Sequence, residues 1–257
     1  MPGKQTPESR QQFAFQRIAA ELRAMILDGT LQAGQKAPSE STLVKEHGVS
    51  KMTARNALVS LRDEGLLESQ HGRGFFVRSF EPIRRNVTKR LAEELWGGGH
   101  SMWSLDVVDR DLRPINEEPA TVEVPASFAT LMGLEPGALV CQRARVYEVD
   151  GVPVMAATSY IPLDLAQGTP IMQVDTGAGG LYARLADIGH KPRKFREELK
   201  SQMPSPEIAQ KLRMTSGSPS PVIHIVRTAA DEKGRVVEIN DMVLVASRYV
   251  LEYDYTT

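Results

Sequence analysis

Apolar residues recur at helical spacing in the first quarter of the chain and alternate at strand spacing through most of the remainder. Between Phe13 and Asp28, Ile18, Leu22, Met25 and Ile26 fall on one helical face, and Gly29 supplies a stop. Ser39, just after Pro38, is placed to cap a helix running to about His47, with Gly48 at its exit. Ser50 caps a further helix from Lys51 to about Glu64, ended by Gly65, whose inward stripe is Ala54, Leu58 and Leu61. Leu66 to Gln70 and Phe75 to Val77 then read as two short strands around the tip His71-Gly72-Arg73-Gly74. Two capped helices joined by a tight glycine turn and followed by a small hairpin make a winged helix-turn-helix. Such a module lays its second helix in the major groove of DNA.

The chemistry at these positions fits that use. Lys51, Met52, Thr53, Arg55 and Asn56 crowd the first turns of the second capped helix. Arginine binds guanine bidentately and asparagine does the same with adenine. Arg73, with His71 and Gly72, gives the hairpin tip a cation for phosphate or the minor groove. Taken singly, Asn56 also reads as a solvated helix residue and His71 as a turn residue.

Residues 13 to 78 resemble the GntR family of bacterial transcription regulators, through Pro38-Ser39-Glu40, Gly48-Val49-Ser50, Arg55 and His71-Gly72. The resemblance implies DNA contacts at Ser39, Ser41, Lys51, Met52, Thr53, Arg55, Asn56, His71, Gly72 and Arg73. The family usually has Arg where this chain has Ser41, and Arg where it has Lys51. Lys51 meets phosphate or guanine without the planar guanidinium fork.

Residues 1 to 12 are polar and read as a disordered tail, and residues 81 to 100 read as a linker containing Pro82, Arg84-Arg85 and Gly97-Gly98-Gly99. Beyond Ser101 the pattern mixes short strands (Val108 to Leu112, Ala120 to Val124) with short helices (Pro125 to Met132, Leu181 to Ile188, Pro206 to Leu212). One hairpin turns at Asp150-Gly151 between Val140 to Val149 and Val154 to Ile161. A second turns over Asp231 to Gly234 between Val222 to Thr228 and Val236 to Val245, and Ser247 to Tyr255 reads as a last strand. Antiparallel hairpins with interspersed helices predict an α+β domain over 101 to 257.

This half resembles the UTRA domain of the HutC subgroup of GntR regulators. The matching residues are Arg143-Ala144-Arg145, Asp150-Gly151-Val152-Pro153, Thr158-Ser159-Tyr160-Ile161-Pro162, Val236-Val237-Glu238 and Ser247-Arg248-Tyr249. The resemblance implies a chorismate-lyase-like antiparallel sheet with flanking helices. It also implies a homodimer, and a small effector molecule that alters DNA affinity.

Two features point to an anionic effector. Arg143 and Arg145 alternate with apolar residues, so both point to one sheet face, and paired cations want an anionic partner. Asp175-Thr176-Gly177-Ala178-Gly179-Gly180 precedes a helix, and free amides at a helix N-terminus attract anions. Glu238, Asn240 and Tyr249 are candidates for ligand hydroxyls or amines, and Tyr182 for ligand contact or core packing. The family often has a serine where this chain has Gly180, which leaves backbone donors alone there, and an acid where it has Ala157, which removes a sugar-hydroxyl partner and favours an organic anion other than a standard phosphosugar, with a phosphorylated metabolite retained in the class. Alternatively, Arg143 and Arg145 pair internally with Glu123, Glu148 or Glu238.

The 257 residues carry a net charge of −1, unevenly placed. Residues 1 to 80 hold 11 Lys and Arg against 8 Asp and Glu, and the rest hold 20 against 24. A basic head on an acidic body fits one DNA-facing module. The lone Cys141 excludes an intramolecular disulfide and fits a reducing, cytoplasmic setting. No apolar run approaches the roughly 18 residues of a membrane span. His47, His71, His100, His190 and His224 are scattered, so neither a metal site, a cofactor nor a catalytic pair is expected. The expectation is a cytoplasmic, ligand-responsive repressor. A ligand-independent autoregulator and a lyase-like enzyme are the alternatives.

Overall fold

The computed structural model describes residues 7–70, 72–78, 82–87, 103, 106–107, 110–214 and 221–254, with side chains from Ala14 onward. The chain divides into two compact units, a head ending at Glu81 and a body beginning at Pro82.

The head is three helices and a hairpin: α1 (Pro7–Leu27), α2 (Glu40–His47), α3 (Lys51–Asp63), β1 (Leu67–Gln70) and β2 (Gly74–Val77). Helix α1 reaches back to Pro7, so the tail expected over 1 to 12 is corrected from that residue on. Proline suits a first helical position because it has no amide hydrogen to satisfy and its φ is already set. Ser39 Oγ accepts from the Thr42 amide, and Ser50 Oγ from the Thr53 amide, each at 3.1 Å. Gly48 closes α2 at φ 62°, where a side chain would be strained. Ile18, Leu22, Leu43, Ala54, Leu58, Leu61, Leu67 and Val77 form the shared core. Arg23 grips Glu64 with two bonds of 2.7 and 2.6 Å, fastening α1 to the residue that ends α3. That grip holds the Glu64 carboxyl below its ordinary range.

The body opens with β3 (Ile83–Asn86), then β4 (Leu112–Asn116), β5 (Ala120–Glu123), α4 (Ala126–Met132), β6 (Leu139–Val149) and β7 (Val152–Pro162). It continues with α5 (Leu163–Ala166), a 3-10 turn at Pro170–Met172, α6 (Gly180–Asp187), β8 (Lys194–Gln202), α7 (Pro206–Lys211), β9 (Val222–Ala230) and β10 (Val236–Val245). A 3-10 turn at Ala246–Arg248 leads to β11 (Tyr249–Glu252). The seven-stranded sheet runs β4-β6-β7-β10-β9-β8, with β5 also paired to β6. Those pairings are antiparallel, as the hairpin spacing predicts.

Side-chain alternation gives the sheet two different faces. On one, Val140 and Ile239 pack against Phe128 and Met132 of α4, while Ala156 and Val245 meet Leu212 just past α7. On the other, Cys141, Ile161 and Ala229 pack with Leu165, Ile171, Tyr182 and Leu185 from the α5 to α6 segment. Burial raises the Cys141 thiol pKa, which keeps it a packing group.

Three expectations are corrected here, and one strand is added. Residues 83–86 are not linker: they form β3, which pairs in parallel with β11. The final strand is therefore shorter than expected and leaves the main sheet, because the 3-10 turn redirects the chain. The strand expected over 108 to 112 begins only at Leu112, where Asp150 holds Arg110 and the Asp111 amide; residues 108 and 109 lie outside the described residues. Strand β8 escaped the sequence reading because it is an edge strand whose outward positions are charged.

Leu58→Ala leaves a cavity in the fully buried centre of the head and is expected to lower head stability by about 2–5 kcal/mol. Met52→Ala, on the exposed surface, is expected to stay within about 0.5 kcal/mol. Urea unfolding of the two variants beside wild type checks the contrast.

Candidate functional site

The N-terminal turns of α3 present four exposed side chains together. Lys51 and Arg55 are 82% and 63% exposed in their side chains, and Met52 is 65% exposed. Asn56 is exposed beside them. Glu40, which the sequence reading did not single out, stands 3.9 Å from Lys51 Nζ and 3.8 Å from Arg55 Nη1. It holds both cations loosely at the front of the helix. Thr53 departs from expectation: it is buried and its hydroxyl bonds Ser50 Oγ at 2.8 Å, so it braces the cap. Ser39 is likewise the cap, with Ser41 Oγ bonded to it at 2.8 Å. At the wing, Gly72 takes φ 70° and the exposed Arg73 guanidinium lies 5.2 Å from the Phe76 ring centroid. His71 lies outside the described residues.

In the body, a pocket of about 240 Å³ opens on the α6 side of the sheet. Arg143, Arg145, Gly179, Gly180, Tyr182 and Glu238 all line it. Its rim is the Asp175–Gly180 loop leading into α6, where the Gly177 amide is held by Asp175 Oδ1 at 2.8 Å and the Gly180 amide by the Gly177 carbonyl at 3.0 Å, and the amides that follow in the first turn have no acceptor within the helix. Three guanidinium groups, of Arg143, Arg145 and Arg227, face the pocket against two carboxylates, of Asp175 and Glu238.

The arginine pair divides its labour. Arg143 Nη1 donates to the carbonyls of Ile171 and Gln173, both at 2.5 Å, and its Nη2 donates to Val174 at 2.9 Å. Arg143 thus lines the pocket together with Arg145, as expected, and its guanidinium also braces the loop leading to the rim. Burial, then the neighbouring Arg145, lowers its pKa. Arg145 Nη2 donates to Ser159 Oγ at 2.8 Å, and Ser159 donates to Glu238 Oε1 at 2.6 Å. Tyr182 donates to the other oxygen of Glu238, also at 2.6 Å. Burial, with Glu238 beside it, pushes the Tyr182 phenol pKa well up, so it stays a donor. Of the internal carboxylates expected to meet the pair, Glu238 does so through Ser159, whereas Glu148 pairs with Arg213 at 2.7 Å.

Two expected residues do not line the pocket. Asn240 is fully buried in the register row between Ser159 and Arg227, with both amide atoms lacking a hydrogen-bond partner among the described residues. Tyr249 is carried by β11 to a separate small cavity beside Ile83, Trp103 and Met155. Arg227, in contrast, was missed. Burial opposes its charge, but Tyr182, Glu238 and Glu197 together raise its pKa. The available signal was a lone arginine in the apolar run Val222 to Ala230. Trp103 was also missed; it lines the pocket and its ring lies 4.5 Å from that of Tyr147.

Comparison with known proteins agrees with this architecture. Residues 14–77 match the family model for bacterial regulatory proteins of the gntR family, and residues 117–250 match that of the UTRA domain. An uncharacterized HTH-type transcriptional regulator of Streptomyces coelicolor is 30% identical over 94% of this chain and 92% of its own. The HTH-type transcriptional repressor NagR of Bacillus subtilis is 26% identical over 91% of each chain. The crystal structure of PhnF from Mycobacterium smegmatis shares the fold, with TM-score 0.56 and 22% identity over 93% of this chain and 99% of that one. The relatives of known class are transcriptional regulators, which sets aside the lyase-like enzyme. With both halves matched, this chain belongs to the gntR family of bacterial transcriptional regulators, joining a winged helix-turn-helix head to a UTRA body.

Proposed function

We propose that this regulator is a cytoplasmic repressor that binds a two-fold DNA operator as a homodimer and changes its operator affinity when a small organic anion or phosphorylated metabolite occupies the body. The observation that carries this reading is the pocket itself. Arg145 and Arg227 line it beneath a glycine-rich helix N-terminus, with an excess of guanidinium over carboxylate. Arg145 is the principal anion ligand, the loop amides before α6 are the second, and Glu238 and Tyr182 orient the polar remainder of the molecule. In the head, Lys51, Met52, Arg55 and Asn56 meet base edges, and Ser39, Ser41, Gly72, Arg73 and His71 meet the DNA backbone. The likeness to a relative named as a repressor supports the sign of the response.

A second reading also has an observation behind it. Both oxygens of Glu238 are already satisfied by Ser159 and Tyr182. A pocket content with its own partners suits a ligand-independent autoregulator.

A thermal-shift screen of organic anions and phosphorylated metabolites separates the two. A true effector at one hundred times its Kd stabilises by about 2.7 kcal/mol, equivalent to about 5–10 °C for a domain of this size. The shift is expected to vanish in Arg145→Ala; no shift with any anion favours the ligand-independent reading. For the head, Arg55→Ala is expected to weaken operator binding by about 10- to 100-fold, the worth of one bidentate base contact. Its melting temperature is expected to stay at the wild-type value, since Arg55 is exposed. Unchanged operator affinity in a gel-shift titration contradicts the assignment.

A further inference from the structure

We infer that Glu197 and Arg85 are positioning residues that transmit the state of the pocket to β3, the strand by which the body continues from the head. The purpose of this relay rests on the effector reading above; its existence does not. Glu197, Arg227, Asn240, Ser159 and Arg143 lie opposite one another on five adjoining strands and so share the pocket face of the sheet. At the outer end, the fully buried Arg85 of β3 holds Glu197 through two bonds, Nη1 to Oε2 at 2.9 Å and Nη2 to Oε1 at 2.5 Å. At the inner end, Glu238 is held by Tyr182 and Ser159.

Arg227 stands between these ends. Its Nη1 is 4.0 Å from Glu197 Oε1 and its Nη2 is 3.9 Å from Glu238 Oε2. Both separations exceed a charge-assisted hydrogen bond of about 2.7–2.9 Å. Its Nε and Nη1 have no hydrogen-bond acceptor among the described residues. Each carboxylate oxygen it faces is already claimed, Oε1 of Glu197 by Arg85 and Oε2 of Glu238 by Tyr182. A shift of about 1 Å closes one contact at the expense of the other, given the hydrogen-bond length of charged groups. Arg227 is therefore an element with two positions that both ends bias. An anion bound at Arg227 draws it away from Glu197. Arg85 then holds Oε1 without competition from Arg227, and β3 is held more firmly against β8.

Hydrogen exchange at the Arg84, Arg85 and Asn86 amides of the full-length protein tests the relay with neither ligand nor DNA. Glu238→Gln removes the inner attraction, sends Arg227 to Glu197 and sets it in competition with Arg85. Exchange in β3 is expected to quicken about fivefold, within the range of neighbour couplings. Tyr182→Phe frees Oε2 of Glu238 for Arg227 and has the opposite sign, slowing β3 exchange about twofold or more. Both effects are expected to disappear when Glu197→Gln is added. A residue that merely supports the fold gives faster exchange in both variants. That result overturns the relay, as does unchanged β3 exchange in both, or an effect that survives Glu197→Gln. Wild-type exchange in β6, on the far side of the body's sheet from β8, confirms that the body folds, and Tyr182→Phe decides alone if Glu238→Gln fails to fold. A missing effector leaves this outcome untouched, so the two proposals fail separately.

Discussion

The Arg227 guanidinium is shielded from water on β9, one strand in from the edge of an antiparallel sheet, and stays charged because Glu197 and Glu238 flank it, with the Tyr182 ring centroid 5.7 Å away. Removing one ion from water carries a penalty of several kcal/mol, and such rows of charge contribute little to stability beside a well-packed apolar alternative. Much of the body is arranged around this group. Period-two alternation on β6, β7, β10, β9 and β8 brings the row to one face, and α5 and α6 cover that face with an apolar cluster. Arg143 fastens the 171–174 segment, and so positions the glycine loop that frames the opening. The cluster lowers the local polarizability and strengthens the attraction to whatever charged partner enters, which is the physical basis of the anion-sensing role proposed above.

The division between legible and hidden features follows the range of the interactions involved. The head was readable because its signals are local. Serine caps, a left-handed glycine and a single apolar stripe lie within a few residues of what they specify. The body hairpins were readable for the same reason, since Asp150-Gly151 and Asp231 to Gly234 are turn chemistry between alternating runs. Strand β3 was hidden because Ile83-Arg84-Arg85-Asn86 reads as polar linker, and its strand form comes from β11, far along the chain. Strand β8 was hidden by the charges that protect an exposed sheet edge.

The pocket was legible in type and less so in detail. The motif Arg143-Ala144-Arg145 placed both arginines on the right face, but alternation does not say what a guanidinium reaches, and Arg143 reaches backbone carbonyls. Asn240 was correctly placed beside Glu238 on a strand, yet it is sealed beneath its neighbours. Thr53 was grouped with exposed neighbours in the first turn of α3, but its place in that turn directs it to Ser50. In each case residue type and spacing located the face, and packing across the sheet or cap decided the partner.

Head and body belong to one account only if an anion in the body is felt at the operator. The most direct measurement is fluorescence anisotropy of labelled operator DNA titrated with full-length protein across a panel of anions. Ionic strength must be fixed, since phosphate contacts are themselves salt-dependent. At least one anion is expected to change operator Kd by about 5- to 150-fold, the usual span of coupling between two sites. An anion that demonstrably fills the pocket while leaving operator affinity unchanged contradicts the account.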